Sequence, residues 1–378
     1  MNLDELIQFR HKLHEGAELS DHESRTADTV ARYLEQFKPS RIIRNIGGYG
    51  LAVLFESGNP GPRVLIRCEL DALPIPDTPD LPYRSRQDGV AHKCGHDGHM
   101  AIVSGLAHEF GNGKLDRGTL ILLYQPSEET GQGAARVIAD EKFSEIQPDY
   151  VFALHNLPGF PMGNIIVKND TFASASKGFI IELTGATSHA AEPDRGNSPA
   201  LAVSHLISGL SAIPQFYTAL HEAAQVTIIH SKIGERAFGT SPGTGTVMAT
   251  LRAHKQDVMD RIADRCSDLA AKIATAFDLD YKIEFVEEFP ATVNNPDCVK
   301  IVRDSAQKCG LDLTVREVPF SWSEDFGHFT NAHPGALFGL GAGDDVRALH
   351  HPSYDFPDEI IEPGIRIFKE IILKMIME

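Results

Sequence analysis

The sequence has no excess of basic charge, no cysteine framework and no long apolar run, and each absence removes a class of function. Its 52 acidic and 35 basic side chains leave a formal charge of −17. That balance argues against a nucleic-acid backbone or an anionic membrane surface as partner, since either would need a basic face. The five cysteines, Cys68, Cys94, Cys266, Cys298 and Cys309, are odd in number and scattered, which fits reduced thiols in the cytoplasm rather than a disulfide scaffold. No apolar run reaches the roughly 18 residues of a membrane span. The opening "MNLDELIQFRHKLHEG" interrupts its apolar positions with acids, unlike the basic-then-apolar order of a secretion signal. Repeats, low-complexity tracts and long linkers are also missing.

What is present is a chain of 378 residues, 42% of them hydrophobic, enough to bury a core and fill two domains. Short β-rich runs, "LAVLFES", "RVLIRCELDALPI", "TLILLYQPSEE" and "YVFALHN", alternate with amphipathic stretches such as "DHESRTADTVARYLEQF" and "GHMAIVSGLAHEFG". This is an α/β pattern, expected as a central mixed sheet flanked by helices. The nearly continuous apolar character of the strands predicts a sheet covered on both faces. From about residue 176 the order becomes β-α-β-β-α-β, from "KGFIIELTG" to "YKIEFVEEF", the ferredoxin-like unit. The first rhythm then returns. Residues 1–175 and 289–378 are therefore expected to form one large domain, with 176–288 inserted into it.

Polar clusters fall where those strands should end, which is where ligands bind in open α/β sheets. In "CELDALP", Glu69 and Asp71 are two apart and should face the same way on a strand; a plain polar strand face is the simpler account. In "QPSEETGQGA", Glu128 and Glu129 precede a helix that Ser127 could cap, and acids there could merely complement the helix dipole. His155 ends the strand "ALHN", and His350 and His351 lie in the loop "RALHHPSYDF"; each alone reads as an ordinary structural histidine.

The most specific stretch is "GVAHKCGHDGHMA". Cys94 and His96 are close enough to approach one metal, while Gly95 and Gly98 allow the backbone near it. No second paired motif completes a structural zinc site. Adding Glu129, His155 and His350 supplies three more donors, and two neighbouring divalent ions become plausible if a carboxylate bridges them. Glu128, beside a ligand, is then placed to act as base toward a metal-activated water, the chemistry of a hydrolase.

Together with "RHKLHEGAELS", "RCELDALPI", "SHAAEP", "SEDFGHF" and "LHHPSYDF", these motifs resemble the amidohydrolase branch of the dinuclear metallopeptidase family. That family also holds aminoacylases, hippurate hydrolases and indole-acetyl-amino-acid hydrolases. The resemblance runs in order over nearly the whole chain. It implies that Cys94, His96, Glu129, His155 and His350 bind the metals, that Glu128 is the general base, and that Asp71 orients the metal shell from behind. Of the two neighbouring histidines it selects His350. It implies a role for His189, in "SHAAEP", as donor to the oxyanion, often in the partner's site. The inserted domain is implied to be a lid whose strand edge makes a homodimer.

Two departures stand out. Glu69 occupies a position where peptidase relatives have a histidine ligand and many amidohydrolases an aspartate. The lid segment "RAFGTSPGTGTVMATLRA" places Gly239 where many relatives have an asparagine that helps hold the substrate's polar end.

The favoured reading is a metal-dependent amidohydrolase that cleaves an N-acyl amino acid or a related small amide, a C–N bond other than an ordinary peptide bond. A dipeptidase or carboxypeptidase on the same scaffold is the second reading. A catalytically silent metal-binding or assembly protein is the third, and retention of Glu128 and Glu129 weighs against it. Two divalent ions are expected, with manganese ahead of zinc because carboxylates and the resemblance outweigh thiolate and imidazole.

Overall fold

The computed structural model describes residues 2–377. The chain forms two compact units. One runs up to Phe172 and resumes over Thr292–Val318 and from Asp325 onward; the other comprises Ala173–Ala291 and Pro319–Glu324.

The first unit is built on an eight-stranded mixed sheet. Its strands lie in the order Arg41–Ile46, Gly50–Glu56, Thr119–Gln125, Arg63–Glu69, Tyr150–Pro158, Gly335–Gly343, Ile165–Val167 and Leu313–Val315. The middle of the sheet is parallel: Arg63–Glu69 pairs in parallel with both Thr119–Gln125 and Tyr150–Pro158, and Gly335–Gly343 continues in parallel beside the latter. The expected α/β class with a mixed sheet is what forms.

Side-chain alternation divides the faces of this sheet. Val64, Ile66 and Cys68, with Leu120, Leu122 and Tyr124 and with Phe152 and Leu154, join one core cluster with Leu6, Val30, Leu106, Val302 and Phe368. Those partners come from the helices Leu3–Glu15, Ser24–Glu35, His96–Phe110, Pro296–Cys309 and Ile361–Met377. The intervening strand residues Leu65, Ile121 and Ala153 are also fully buried. Burial on both faces is why these strands read as unbroken apolar runs.

The second unit carries a four-stranded antiparallel sheet in the order Ala224–Ile233, Thr244–Ala253, Ala175–Thr184, Asp280–Phe289. The helices Ala200–Tyr217 and Gln256–Ala276 complete the β-α-β-β-α-β succession. Leu206, Leu210, Ile262 and Cys266 from those helices pack with Phe179, Ile181, Val247 and Leu251 of the sheet. Among the described residues no helix is long and apolar enough to cross a membrane.

Candidate metal centre

Glu69 and Gln125 end two parallel strands side by side, and the segments that leave those ends carry the acids. The strand stops at Glu69, so the expected common face for Glu69 and Asp71 does not form. Beyond it Leu70 N–H still donates to the Gln125 carbonyl, but Ala72 N–H goes to Glu18 instead. The two carboxylates accordingly meet different partners.

The Ser127 expectation also changes. The next helix begins only at Gly133, with Gln132 at its N-cap and no side-chain cap. Ser127 instead sits at φ 52°; its N–H donates to Glu23 Oε1 at 2.8 Å and its Oγ accepts from Asp21 N–H at 3.1 Å. Glu128 and Glu129 therefore occupy a tight turn, closed by Gly131 N–H to the Glu128 carbonyl, and not a helical first turn. A non-glycine residue in the left-handed region costs backbone energy and is found disproportionately at functional sites. His350 is a second such residue, at φ 64°.

The "KCGHD" stretch turns through Gly95, whose φ of 93° precedes the helix His96–Phe110. This brings Cys94 and His96 to one side. One donor atom each from Cys94, His96 and His155 lies within 4.8 Å of the others, and the same holds for Cys94, Glu129 and His350 and for His96, Glu128 and Glu129. The structure thus brings together Cys94, His96, Glu128, Glu129, His155 and His350. His351 is turned elsewhere: its Nδ1 accepts from Ser353 N–H at 3.0 Å.

The nitrogens are oriented for a cation. His96 Nδ1 donates to the Asp71 carbonyl at 2.8 Å. Its buried Nε2 has no hydrogen-bond partner and lies 3.9 Å from oxygens of both Glu128 and Glu129. Burial disfavours charge on His96, but Glu69, Asp71 and Glu129 reverse this and push its pKa up to about 10. The carboxylates therefore call for positive charge at Nε2, where a divalent ion fits. His155 is the neutral counterpart. Its Nδ1 donates to the Asn156 carbonyl at 2.9 Å and its Nε2 is 3.4 Å from Cys94 Sγ. Burial, then the neighbouring His99, holds its pKa down at about 3, so it is kept in the ligating form.

Behind the donors lies a layer of which the resemblance implied only Asp71. Asp71 is fully buried; its Oδ2 accepts from Ser20 Oγ at 2.7 Å and from Glu129 N–H at 2.9 Å. Burial works against its charge, but His96 and these donors still lower its pKa. Glu69 is bonded to Arg67 through one oxygen and, at 2.6 Å, to His99 through the other. Arg67, also fully buried, reaches Asp325 at 2.6 Å and Gln125 at 2.8 Å. The only sequence signal for this group is an arginine and a glutamate two apart in an apolar strand.

In the second unit His189 is exposed and pairs with Thr240 in a short two-stranded ribbon. Ala191 N–H donates to its Nδ1 at 3.1 Å, which leaves the ring proton on Nε2. Gly239 accepts from Ala190 N–H at 3.0 Å. The same unit contains a cation the sequence reading passed over: the partly buried Arg252 donates to the Ser321 carbonyl at 3.1 Å and Ser323 Oγ at 3.2 Å. Among the described residues no carboxylate pairs with it, and burial lowers its pKa.

Thiol, imidazole and carboxylate donors converging beside a carboxylate pair define a divalent-metal centre of the kind that serves hydrolysis. Comparison with known proteins specifies the class. Residues 65–374 match peptidase family M20/M25/M40; the chain belongs to this family of metal-dependent hydrolases and is an enzyme. It is 30% identical to the hippurate hydrolase of Campylobacter jejuni over 372 residues, 98% of this chain and 96% of that protein. Among solved structures it resembles the YXEP protein of Bacillus subtilis, described as a dinuclear metal binding peptidase from the M20 family. That match has a TM-score of 0.82 and 25% identity, and covers 99% of this chain and 98% of the other. A putative aminohydrolase from methicillin-resistant Staphylococcus aureus shares the fold with a TM-score of 0.89 at 23% identity, over 99% of this chain and 97% of the other.

Proposed function

We propose that this enzyme is a dinuclear metal-dependent amidohydrolase acting on N-acyl amino acids or closely related small amides. The observation that carries the reading is that two donor triples, Cys94–His96–His155 and Cys94–Glu129–His350, share the Cys94 sulfur and adjoin Glu128. Cys94, His96, Glu129, His155 and His350 would hold the two divalent ions. When bound, the ions make a water acidic and polarise the substrate carbonyl. Glu128 takes a proton from the attacking water and returns it to the leaving nitrogen as the C–N bond breaks. Asp71 fixes the Glu129 backbone and the His96 ring and so orients two of the donors.

The flanking segments 1–175 and 289–378 carry this centre, and the inserted 176–288 serves as lid and dimer surface. Leu201, Phe216, Leu220 and Ile229 are exposed there, and Ala224–Ile233 is an edge strand, features that suit a second copy of the chain. His189, protonated on Nε2, donates to the oxyanion. The hippurate hydrolase relative supports an acyl amino acid over a dipeptide, and the carboxylate content favours manganese ahead of zinc.

The test is a panel of hippurate, N-acetyl amino acids and dipeptides, with metal analysis of protein purified without chelator. Turnover of acyl amino acids with two ions per chain is expected. Cleavage confined to dipeptides would transfer the protein to the dipeptidase reading. Active enzyme with one ion or none would overturn the dinuclear centre.

A further inference from the structure

The fully buried side-chain amide of Asn156 occupies the space between the segments that carry the candidate ligands. Asn156 follows His155 in the same strand. Its Oδ1 lies 2.6 Å from His99 Nε2, in the first turn of the helix that begins at His96, and its Nδ2 donates to the Tyr354 hydroxyl at 2.5 Å, in the loop after His350. The amide also lies directly over Gly95, between Cys94 and His96. A Cβ on Gly95 would come within 2.7 Å of Asn156 Oδ1 and 2.8 Å of Nδ2. The backbone approach that glycine permits is filled by this one side chain.

The surrounding bonds make the contact rigid. His99 is held from its other nitrogen by Glu69, at 2.6 Å, and Glu69 is held by Arg67. Tyr354 is fully buried. A buried polar group held from two sides in this way favours one arrangement of its neighbours, because a shift breaks bonds that water cannot replace.

We propose that Asn156 is a positioning residue that fixes the Cys94–His96 turn, the His155 strand and the His350 loop in mutual register, and so sets the geometry of the metal centre without touching metal or substrate. The inference rests on the reading of Cys94, His96, His155 and His350 as ligands. Outer groups that orient metal ligands typically change affinity by about 10–100-fold when removed.

The experiment is a cobalt(II) titration of chelator-stripped protein, following the absorption of the thiolate–cobalt bond together with the folding transition of the stripped protein. Asn156→Ala is expected to keep a cooperative transition, to bind cobalt about 10–100-fold more weakly, and to shift the thiolate band. Tyr354→Phe, which removes one anchor of the amide, is expected to give a smaller change in the same direction, and it supplies the decision should Asn156→Ala not fold. Cys94→Ser is the control and should abolish the band. A responsive Cys94→Ser together with wild-type affinity and band shape in Asn156→Ala, or in Tyr354→Phe where only that variant folds, overturns the positioning role alone. A band that survives Cys94→Ser overturns the ligand reading and this inference with it.

Discussion

His96 is oriented by the backbone of Asp71: the imidazole Nδ1 donates to the Asp71 carbonyl oxygen at 2.8 Å, which turns Nε2 toward Glu128 and Glu129. The carboxylate of the same aspartate accepts the Glu129 backbone N–H at 2.9 Å. One residue therefore positions a histidine through its main chain and a glutamate through its side chain. Asp71→Asn keeps the main-chain bond and weakens the other by removing the charge. Divalent-metal affinity is expected to fall by about 10–100-fold, measured by competition with a chromogenic chelator. Unchanged affinity would remove Asp71 from the support of the centre.

Glu128 and Glu129 sit in one turn yet should separate cleanly. Glu128→Gln preserves shape but removes the base, so metal content should hold while kcat falls by at least about 10²–10⁴-fold. Glu129→Gln should instead release metal, read by elemental analysis of the purified protein. The opposite pattern would exchange the two roles.

The parts of the molecule that could be read beforehand are those written in local periodicity. Nearly unbroken apolar runs such as that through Val64, Leu65 and Ile66 mark strands buried on both faces, and the rhythm switches near residue 176, close to Ala173, where the second unit begins. The grouping of Cys94, His96 and the two glutamates was legible because their motifs are short and each carries more than one donor. What was not legible depends on partners far along the chain. Arg67 meets Asp325, 258 residues away, and the Oγ of Ser127, the atom that would cap a helix, instead accepts from the N–H of Asp21, 106 residues earlier. Arg252 carries no local signal, since its distinction is a missing counter-ion.

His14 makes stability depend on pH. Fully buried, it contacts Asp97 at 2.8 Å through Nδ1 and Asp77 at 3.0 Å through Nε2. Burial opposes its charge, but the bonds to Asp77 and Asp97 prevail and raise its pKa to about 9. The folded value exceeds the ordinary 6.5, so the stabilisation is complete below about pH 6.5 and is lost as pH rises through 9. The shift corresponds to about 3 kcal/mol at most. Denaturant midpoints of the metal-free protein should decline between pH 6.5 and 9, and His14→Gln should be less stable at pH 6 with a flatter profile. Parallel profiles for the two proteins would assign the pH dependence to other groups.

His189 poses a question of reach. Its Nδ1 accepts from Ala191 N–H, so the proton rests on Nε2 of an exposed ring, ready to donate to an oxyanion. Loss of one such donor typically costs about 10²–10³-fold in kcat. His189→Ala is expected to retain metal, fold and oligomeric state while losing activity by about that factor. If the donor serves a neighbouring chain, a heterodimer of His189→Ala with Glu128→Gln contains one site with both groups intact and another with neither. Mixing the two impaired variants should then restore up to half the wild-type activity per heterodimer, provided that subunit exchange is verified by differential tagging. Failure to recover activity in verified heterodimers confines His189 to its own chain. Wild-type activity of His189→Ala alone would reduce the residue to the local bond it makes with Ala191.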